Sequence, residues 1–436
     1  MIFFQIFSWL FIIVSSLMIL FYVLSFFITY DYFKRGNVYL HKISKSTAKI
    51  KILILIPVLR EQNTIIDTIK HFELINSNAD NLNICLCIAC TKREFIAKNK
   101  YNYKQTTYEI VTDYIKNCCG INILAFESPG NEFEDRAMQL NYSLHKCLSE
   151  EAFDIIGVYD ADSRPSKNTF NEVSERYLHN KNVSIQQPAF FIDAANKMYK
   201  NRENPLLIAN ALYQNTWSII SEIPMWYKYS FTKGTGRGYY YFIGHGEFFP
   251  VGIINKFSFP EKEVTDGIQI GYRLAMSGKQ AEVLYNYCSD DAPHSISSLI
   301  QQHKRWFGGC QRLWNSYSWC KNNEKISKIS IVIAGVWSQF RWAFTANLFI
   351  LNLIFSVFSI IFSGNISNLI MTLLIMIIYA YIFPIIAILM TPIKRKVGIF
   401  GILLLPIAIF IKSIGPNLYL IERLFLKKID YKKVER

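Results

Sequence analysis

Charge-free runs at both ends of the chain flank a long stretch of ordinary polarity. From Ile2 to Tyr30 there is no charged residue, enough helix to cross about 30 Å of hydrocarbon. The run has no basic start, and it ends in Phe26-Phe27-Ile28-Thr29-Tyr30 rather than in small residues, so it predicts an uncleaved anchor over 1–30. Lys34, Arg35, His41, Lys42, Lys45, Lys49 and Lys51 follow, and the positive-inside rule puts the chain after residue 31 in the cytoplasm. A second charge-free run lies between Arg341 and Lys394. Ser363-Gly364-Asn365-Ile366-Ser367 divides it into spans near 342–362 and 368–391, a hairpin returned to the cytoplasm by Lys394-Arg395-Lys396. The last apolar run, 397–411, is marginal in length and holds Gly398, Gly401 and Pro406. A span there carries the basic tail (Lys427, Lys428, Lys432, Lys433) outside, whereas a re-entrant segment keeps it inside, and the two stand even.

Residues 31–328 read as one soluble domain, followed from 329 by an interfacial helix and the C-terminal apolar region. Lys51-Ile52-Leu53-Ile54-Leu55-Ile56-Pro57, Asn83 to Cys90, Asn122 to Phe126 and Asp154 to Tyr159 are short apolar runs with helical patterns between them. Strands alternating with helices predict an α/β fold with a largely parallel sheet. Cys85, Cys87 and Cys90 lie in the second strand with no fourth Cys or His at finger spacing, so they read as buried thiols of a reducing compartment.

Composition agrees with a partly membrane-bound chain. Of 436 residues, 51% are hydrophobic and 18% charged, against about 25% charged in soluble proteins. Disorder, collagen and a small disulfide scaffold are excluded. The 47 Lys+Arg against 33 Asp+Glu leave +14, which favours an anionic membrane surface or a phosphate-bearing substrate, nucleic acid being the competing reading. The apolar segments carry no charge of their own, which speaks against a transporter.

Ligands of parallel sheets bind beyond the carboxyl ends of strands. Pro57-Val58-Leu59-Arg60-Glu61-Gln62-Asn63 follows the first strand and Tyr159-Asp160-Ala161-Asp162-Ser163 the fourth. Asp160 and Asp162 can face one hard cation, Mg²⁺ or Mn²⁺, that bridges a nucleotide diphosphate; by spacing alone they can equally cap a helix starting near Pro165. Gly234-Thr235-Gly236-Arg237-Gly238 reads as a flexible loop, since it lacks the Lys-Ser/Thr of a P-loop. His245, within Gly244-His245-Gly246-Glu247, reads as a packed histidine. In Glu263-Val264-Thr265-Asp266-Gly267, Asp266 is either a helix-capping residue or a base. On the helix through Gln302-His303-Lys304-Arg305-Trp306, Arg305 can grip a diphosphate and Trp306 can offer a flat face to a sugar. The same helix can also lie on a membrane surface.

In this order, the segments resemble the membrane-type family 2 glycosyltransferases, the group of cellulose, chitin and hyaluronan synthases and their bacterial relatives. Ile56-Pro57-Val58-Leu59-Arg60-Glu61 looks like the opening nucleotide-binding motif, which brings in Pro57 and Glu61 as donor contacts. Arg136-Ala137-Met138-Gln139-Leu140-Asn141 looks like the segment near the diphosphate, Asp160-Ala161-Asp162 like D-x-D, and Gln302, Arg305 and Trp306 like Q-x-x-R-W. The resemblance implies a Rossmann-like GT-A domain and an inverting transfer from a nucleotide sugar, a UDP-sugar first, to a glycan or lipid-linked acceptor. It implies a metal held by Asp160 and Asp162, a base at Asp266, membrane lipids as surroundings and no nucleic acid partner. A bacterial inner (plasma) membrane with the catalytic domain in the cytoplasm, and single rather than processive transfer, complete the expectation.

Two departures stand out. Glycine at position 267 falls over the aspartate of the family's T-E-D motif, and a catalytically degenerate scaffold is the alternative it supports. Ala89-Cys90-Thr91-Lys92-Arg93-Glu94 replaces the Asp-rich motif after the second strand, leaving Thr91, Arg93 and Glu94 as candidates for base recognition. An aspartate-nucleophile phosphatase is disfavoured, because its Asp-x-Asp belongs near the first strand.

Overall fold

The computed structural model describes residues 2–42, 49–76, 82–95, 104–117, 121–130, 134–191, 204–231, 238–324, 328–364, 366–391 and 399–426. Lys45, residues 234–237 of the glycine-rich loop, the basic cluster 394–396 and the tail from 427 lie outside them.

Seven strands form the main sheet in the order β3-β2-β1-β4-β8-β6-β9. β1 (Ile50–Pro57), β2 (Leu82–Thr91), β3 (Asn122–Ser128) and β4 (Ile155–Val158) are mutually parallel, as the sequence predicts. β8 (Glu247–Pro250) runs antiparallel between β4 and β6 (Ser184–Gln186), and β9 (Ala281–Val283) pairs parallel with β6. β5 (Arg164–Pro165), β7 (Ala189–Phe190) and β10 (Cys288–Ser289) make a small second sheet. β5 stands where the cap reading expects a helix; the next helix begins at Thr169, with Asn168 before it. Asp160 and Asp162 therefore do not stand at the start of that helix.

β1 is apolar throughout because both faces of its sheet are covered. Ile52, Ile54 and Ile56 pack with α2 (Ile65–Asn76), α3 (Thr107–Ile115) and α5 (Thr169–His179) through Ile65, Phe72, Val111 and Phe170. Leu53 and Leu55 face the other way, onto Ala137, Leu140 and Leu144 of α4 (Arg136–Glu150). Cys85, Cys87 and Cys90 are buried free thiols. The β1 edges lead to β2 on one side and β4 on the other, so the strand order reverses between β1 and β4. A crevice opens there.

The core on the α4 side runs on into the apolar helices: Phe11 and Tyr22 of α1 (Ile2–Lys42), Trp226 and Phe349 belong to the same cluster as Leu53. α1 continues well past its apolar part and is fastened to the α/β domain. Thr29 Oγ1 donates to the Ile219 carbonyl at 2.7 Å, the Tyr32 hydroxyl to that of Leu284, and the Tyr39 hydroxyl to Glu175 at 2.7 Å. α6 (Pro205–Trp217) passes through a π-helical turn, Ser218–Glu222, into α7 (Ile223–Phe231). α8 (Val251–Phe257), α9 (Asp266–Met276), α10 (Ile296–Cys310) and α11 (Leu313–Asn323) close the domain.

Then come α12 (Ile329–Ser363), α13 (Ser367–Ile377) continued through a π-helical turn, Ile378–Ile382, as α14 (Phe383–Met390), α15 (Ile399–Leu403) and α16 (Leu405–Phe425). Among the described residues, four helical stretches are long and apolar enough to cross a membrane: Gln5–His41, Ile329–Phe362, Ser367–Met390 and Leu405–Phe425. Exposed Leu10, Phe27, Ile361 and Leu389 face outward from them and make a large apolar surface. The fourth starts later than the apolar run 397–411 suggests, because Pro406 sits in the first turn of α16, where its missing N–H costs nothing. α10 does not lie free on a surface: Gln302, His303 and Lys304 are buried, and α16 packs along it. The contact is close because position 415 is glycine. A Cβ there would come within 2.6 Å of the Lys304 backbone nitrogen.

Candidate active site

A cavity of about 1060 Å³ occupies the crevice, and Pro57, Glu61, Arg136, Asp160, Asp162, Asp266, Gln302, Arg305 and Trp306 all line it. Residues spread over 250 positions of sequence thus meet at one place, as their spacing along an α/β chain predicts. Arg60, at the turn after β1, adopts a left-handed conformation with φ 59°. Thr91, Arg93 and Glu94 do not line the cavity. Thr91 donates to Glu134, Arg93 Nη1 to the Glu134 carbonyl at 3.0 Å, and the buried Glu94 accepts from Thr107 Oγ1 at 2.8 Å, so their polar groups are spent on internal contacts.

Arg136 is the hub. Asp135 caps α4 by accepting from the Met138 N–H at 2.8 Å, and Gln139 Nε2 donates to the Val58 carbonyl at 2.8 Å, which ties the start of α4 to the end of β1. Arg136, thus placed, holds Asp160 Oδ1 at 3.0 Å, pairs with Asp266 and donates to the Gly244 carbonyl. Burial works against its charge, but Asp266, Asp160 and Glu247 outweigh that and hold Arg136 firmly protonated.

Asp266 occupies the first turn of α9, where the helix dipole favours a carboxylate. The glycine that follows it has a steric cause. A Cβ at position 267 would lie 2.4 Å from the Gly244 nitrogen and 2.8 Å from Glu247 Oε2, so no aspartate fits. The register with T-E-D is broken by packing, and Asp266 and Glu263 are the carboxylates that this segment brings to the cavity wall. The departure at 267 is therefore no sign of decay.

Glu247, at the start of β8 opposite Val158, is fully buried, and neither carboxylate oxygen has a hydrogen-bond partner among the described residues. Burial first, then the neighbouring Asp266, pushes its pKa up to about 8, against the pull of Arg136.

Asp160 and Asp162 supply carboxylate oxygens at the carboxyl end of β4, a donor set that fits a hard divalent cation. A second group stands beside them: His245, Cys288 and Asp290 bring ligand atoms within 4.8 Å of one another, and His245 and Asp290 line the same cavity. His245 Nε2 lies 3.3 Å from Asp290 Oδ2, while its buried Nδ1 has no hydrogen-bond partner among the described residues. Burial, with Asp290 nearby, raises the Cys288 pKa and keeps it a thiol. The residues present thus fit a divalent metal.

Trp306 stacks on His303 with centroids 5.6 Å apart, and Gln302, which lines the cavity, has a buried Nε2 without a hydrogen-bond partner among the described residues. Beyond them the wall is made by helices: Trp217 and Glu222 at the π-helical turn, Trp342 of α12 and Lys412 of α16.

Residues 155–386, more than half of the 436-residue chain, match the model of glycosyl transferase family group 2. The chain belongs to the family 2 glycosyltransferases. No curated protein sequence is similar enough to match it. Among solved structures, the mannosyltransferase PcManGT from Pyrobaculum calidifontis, in complex with GDP-Man and Mn²⁺, is 11% identical over 92% of this chain and 98% of its own, with a TM-score of 0.48. The S. aureus TarS 1-349 structure is 10% identical over 85% and 89%, with a TM-score of 0.39.

For a glycosyltransferase, the wall divides by chemistry: carboxylates and Arg136 at the sheet end, aromatic rings and cations at the helix end. Sequence reasoning found the first set through its motifs. It passed over Glu247, which stands in the quoted Gly244–Glu247 segment, and it had no signal for Trp217, Glu222 and Lys412. Their one mark is polarity inside apolar surroundings, plain for Glu222 and Lys412 once the helices are placed.

Proposed function

We propose that this family 2 glycosyltransferase is an inverting, metal-dependent enzyme of the membrane type, akin to the cellulose, chitin and hyaluronan synthases. It moves a sugar from a nucleotide sugar, of the UDP class, to a glycan or lipid-linked acceptor. The observation that carries this reading is the single cavity in which Asp160, Asp162, Arg136, Asp266, Gln302, Arg305 and Trp306 converge. In this reading residues 1–30 anchor the chain in a bacterial plasma membrane, 31–328 work from the cytoplasm, and 329–436 return to the bilayer.

Asp266 takes the proton of the acceptor hydroxyl, which is a poor nucleophile at neutral pH until that proton leaves. The hydroxyl oxygen attacks the anomeric carbon from the face opposite the nucleotide, and the diphosphate departs with the bonding pair. Arg136 positions Asp266 through their ion pair. Arg305 offers a fork of donors to the diphosphate, Gln302 a further N–H, and Trp306 a flat face to the acceptor. Asp160 and Asp162 would hold Mg²⁺ or Mn²⁺, which when bound neutralises charge on the leaving diphosphate.

The test is nucleotide release by the purified full chain from a panel of UDP-, GDP- and CDP-sugars, with and without Mn²⁺ or Mg²⁺. One donor is expected to turn over with metal, and both Asp160→Asn and Asp266→Asn to lose at least about 100-fold. Turnover untouched by Asp266→Asn would remove it as the base; no turnover of any donor would overturn the reading.

A further inference from the structure

Lys412 is a basic side chain in an apolar place. It lies in the middle of α16, one of the membrane-length helices, and is 6% exposed. Its Nζ has no hydrogen-bond partner among the described residues, and it lines the cavity beside Trp217, Glu222 and Trp342. Trp217 is shared by two basic side chains. Lys412 Nζ stands 4.2 Å from its ring centroid, and the Arg341 guanidinium, also buried, stands 5.7 Å from it. The carboxylate close enough to act on Lys412 is Glu222. Glu222 is already engaged by Ser218 Oγ at 2.8 Å and the Tyr241 hydroxyl at 3.1 Å. Burial, the largest influence on it, raises the Glu222 pKa despite those bonds.

Two basic side chains therefore meet at Trp217, with Glu222 as the acidic neighbour of Lys412, among indole rings and membrane-length helices. Charge in such surroundings is costly unless paired, and ring faces compensate only part of it. The backbone around Lys412 is held: its carbonyl lies 3.2 Å from His303 Nδ1 and accepts from Trp342 Nε1 at 3.2 Å. The lysine is kept in place, and its missing partner is an anion arriving through the cavity.

We propose that Lys412 is the anion-binding residue of an acceptor subsite, and that it takes the phosphate of a lipid phosphate monoester that reaches it through the cavity. This rests on the transferase reading above and names its acceptor class. A lipid is favoured over a free anion because Lys412 belongs to a membrane-length helix, where an apolar tail continues into the bilayer.

The test uses the full chain in detergent with farnesyl phosphate, farnesol and inorganic phosphate as probes, each titrated to equilibrium. Farnesyl phosphate is expected to bind at least about 10-fold tighter than either of the others. Lys412→Met should reduce it to the farnesol level, Lys412→Arg should keep most of it, and Glu222→Gln should tighten it several-fold. Lys412→Met binding farnesyl phosphate like the native chain would overturn the site. Inorganic phosphate matching farnesyl phosphate would overturn the lipid. Lys412→Met removes a buried basic group, so its Tm is expected at or above the native one. Should it fall, the gain in Glu222→Gln still decides, and no gain there would overturn the proposal. Donor turnover and its loss in Asp160→Asn are measured without these probes, so failure of the transferase reading shows separately.

Discussion

Arg136 meets three acceptors at once: two carboxylates, from β4 and α9, and the Gly244 carbonyl. A lysine cannot span them, because its ammonium is a compact point charge without the planar fork. Arg136→Lys is expected to lower donor turnover by about 100-fold or more with little loss of Tm, read by nucleotide release beside a thermal melt. Gly267→Asp makes the opposite kind of test, since it restores the residue that the T-E-D register asks for. The Cβ would meet the Gly244 backbone at 2.4 Å, so the variant is expected to lose activity and several degrees of Tm. A fully active Gly267→Asp would mean that the backbone yields there. At this scale the sequence was most legible where short motifs keep their neighbours, as in Asp160-Ala161-Asp162 or Gln302 to Trp306. It was silent where a side chain acquires its role from residues far along the chain. Lys412 has no motif around it, and its position opposite Trp217 exists only once α6 and α16 pack.

Elements explain why. The parallel strands announce themselves because burial on both faces demands unbroken apolar runs. α16 did not, because Pro406 reads as a stop but serves as a first-turn residue, and the helix continues through Pro416. Its contact with α10 depends on Gly415. Gly415→Leu is expected to separate the two helices and to lower Tm by several degrees, with weaker effects for Gly415→Ala. The same contact buries His303 as a neutral ring. Burial, aided by Lys412, lowers its pKa from 6.5 to about 3. The folded state thus binds fewer protons than the unfolded one between those values. Its contribution is fully present above about pH 6.5 and is lost as pH falls towards 3, on the order of a few kcal/mol across the window. Thermal melts from pH 7.5 to 5 should show that slope in the native chain and a flatter one in His303→Gln. Equal slopes would show that another group titrates.

In the whole molecule, the sheet core and the apolar helices are one body, since Leu53 of β1 and Phe349 of α12 belong to a single cluster. A division into anchor, domain and C-terminal region describes the sequence better than it describes the packing. α1 makes this concrete. It is one helix of 41 residues, about 60 Å long at 1.5 Å per residue, and roughly half of that exceeds the hydrocarbon thickness. Thr29, Tyr32 and Tyr39 lock its second half to the α/β domain. In the membrane reading proposed above, a rod that begins in lipid and is bolted to the α/β domain lets the catalytic crevice neither rise nor tilt on its own. In a membrane of the proposed kind, the height of the crevice above the headgroups is then a fixed dimension of the enzyme, like the draught of a hull. Thicker or thinner bilayers would change which acceptors reach the crevice without altering any bond inside it.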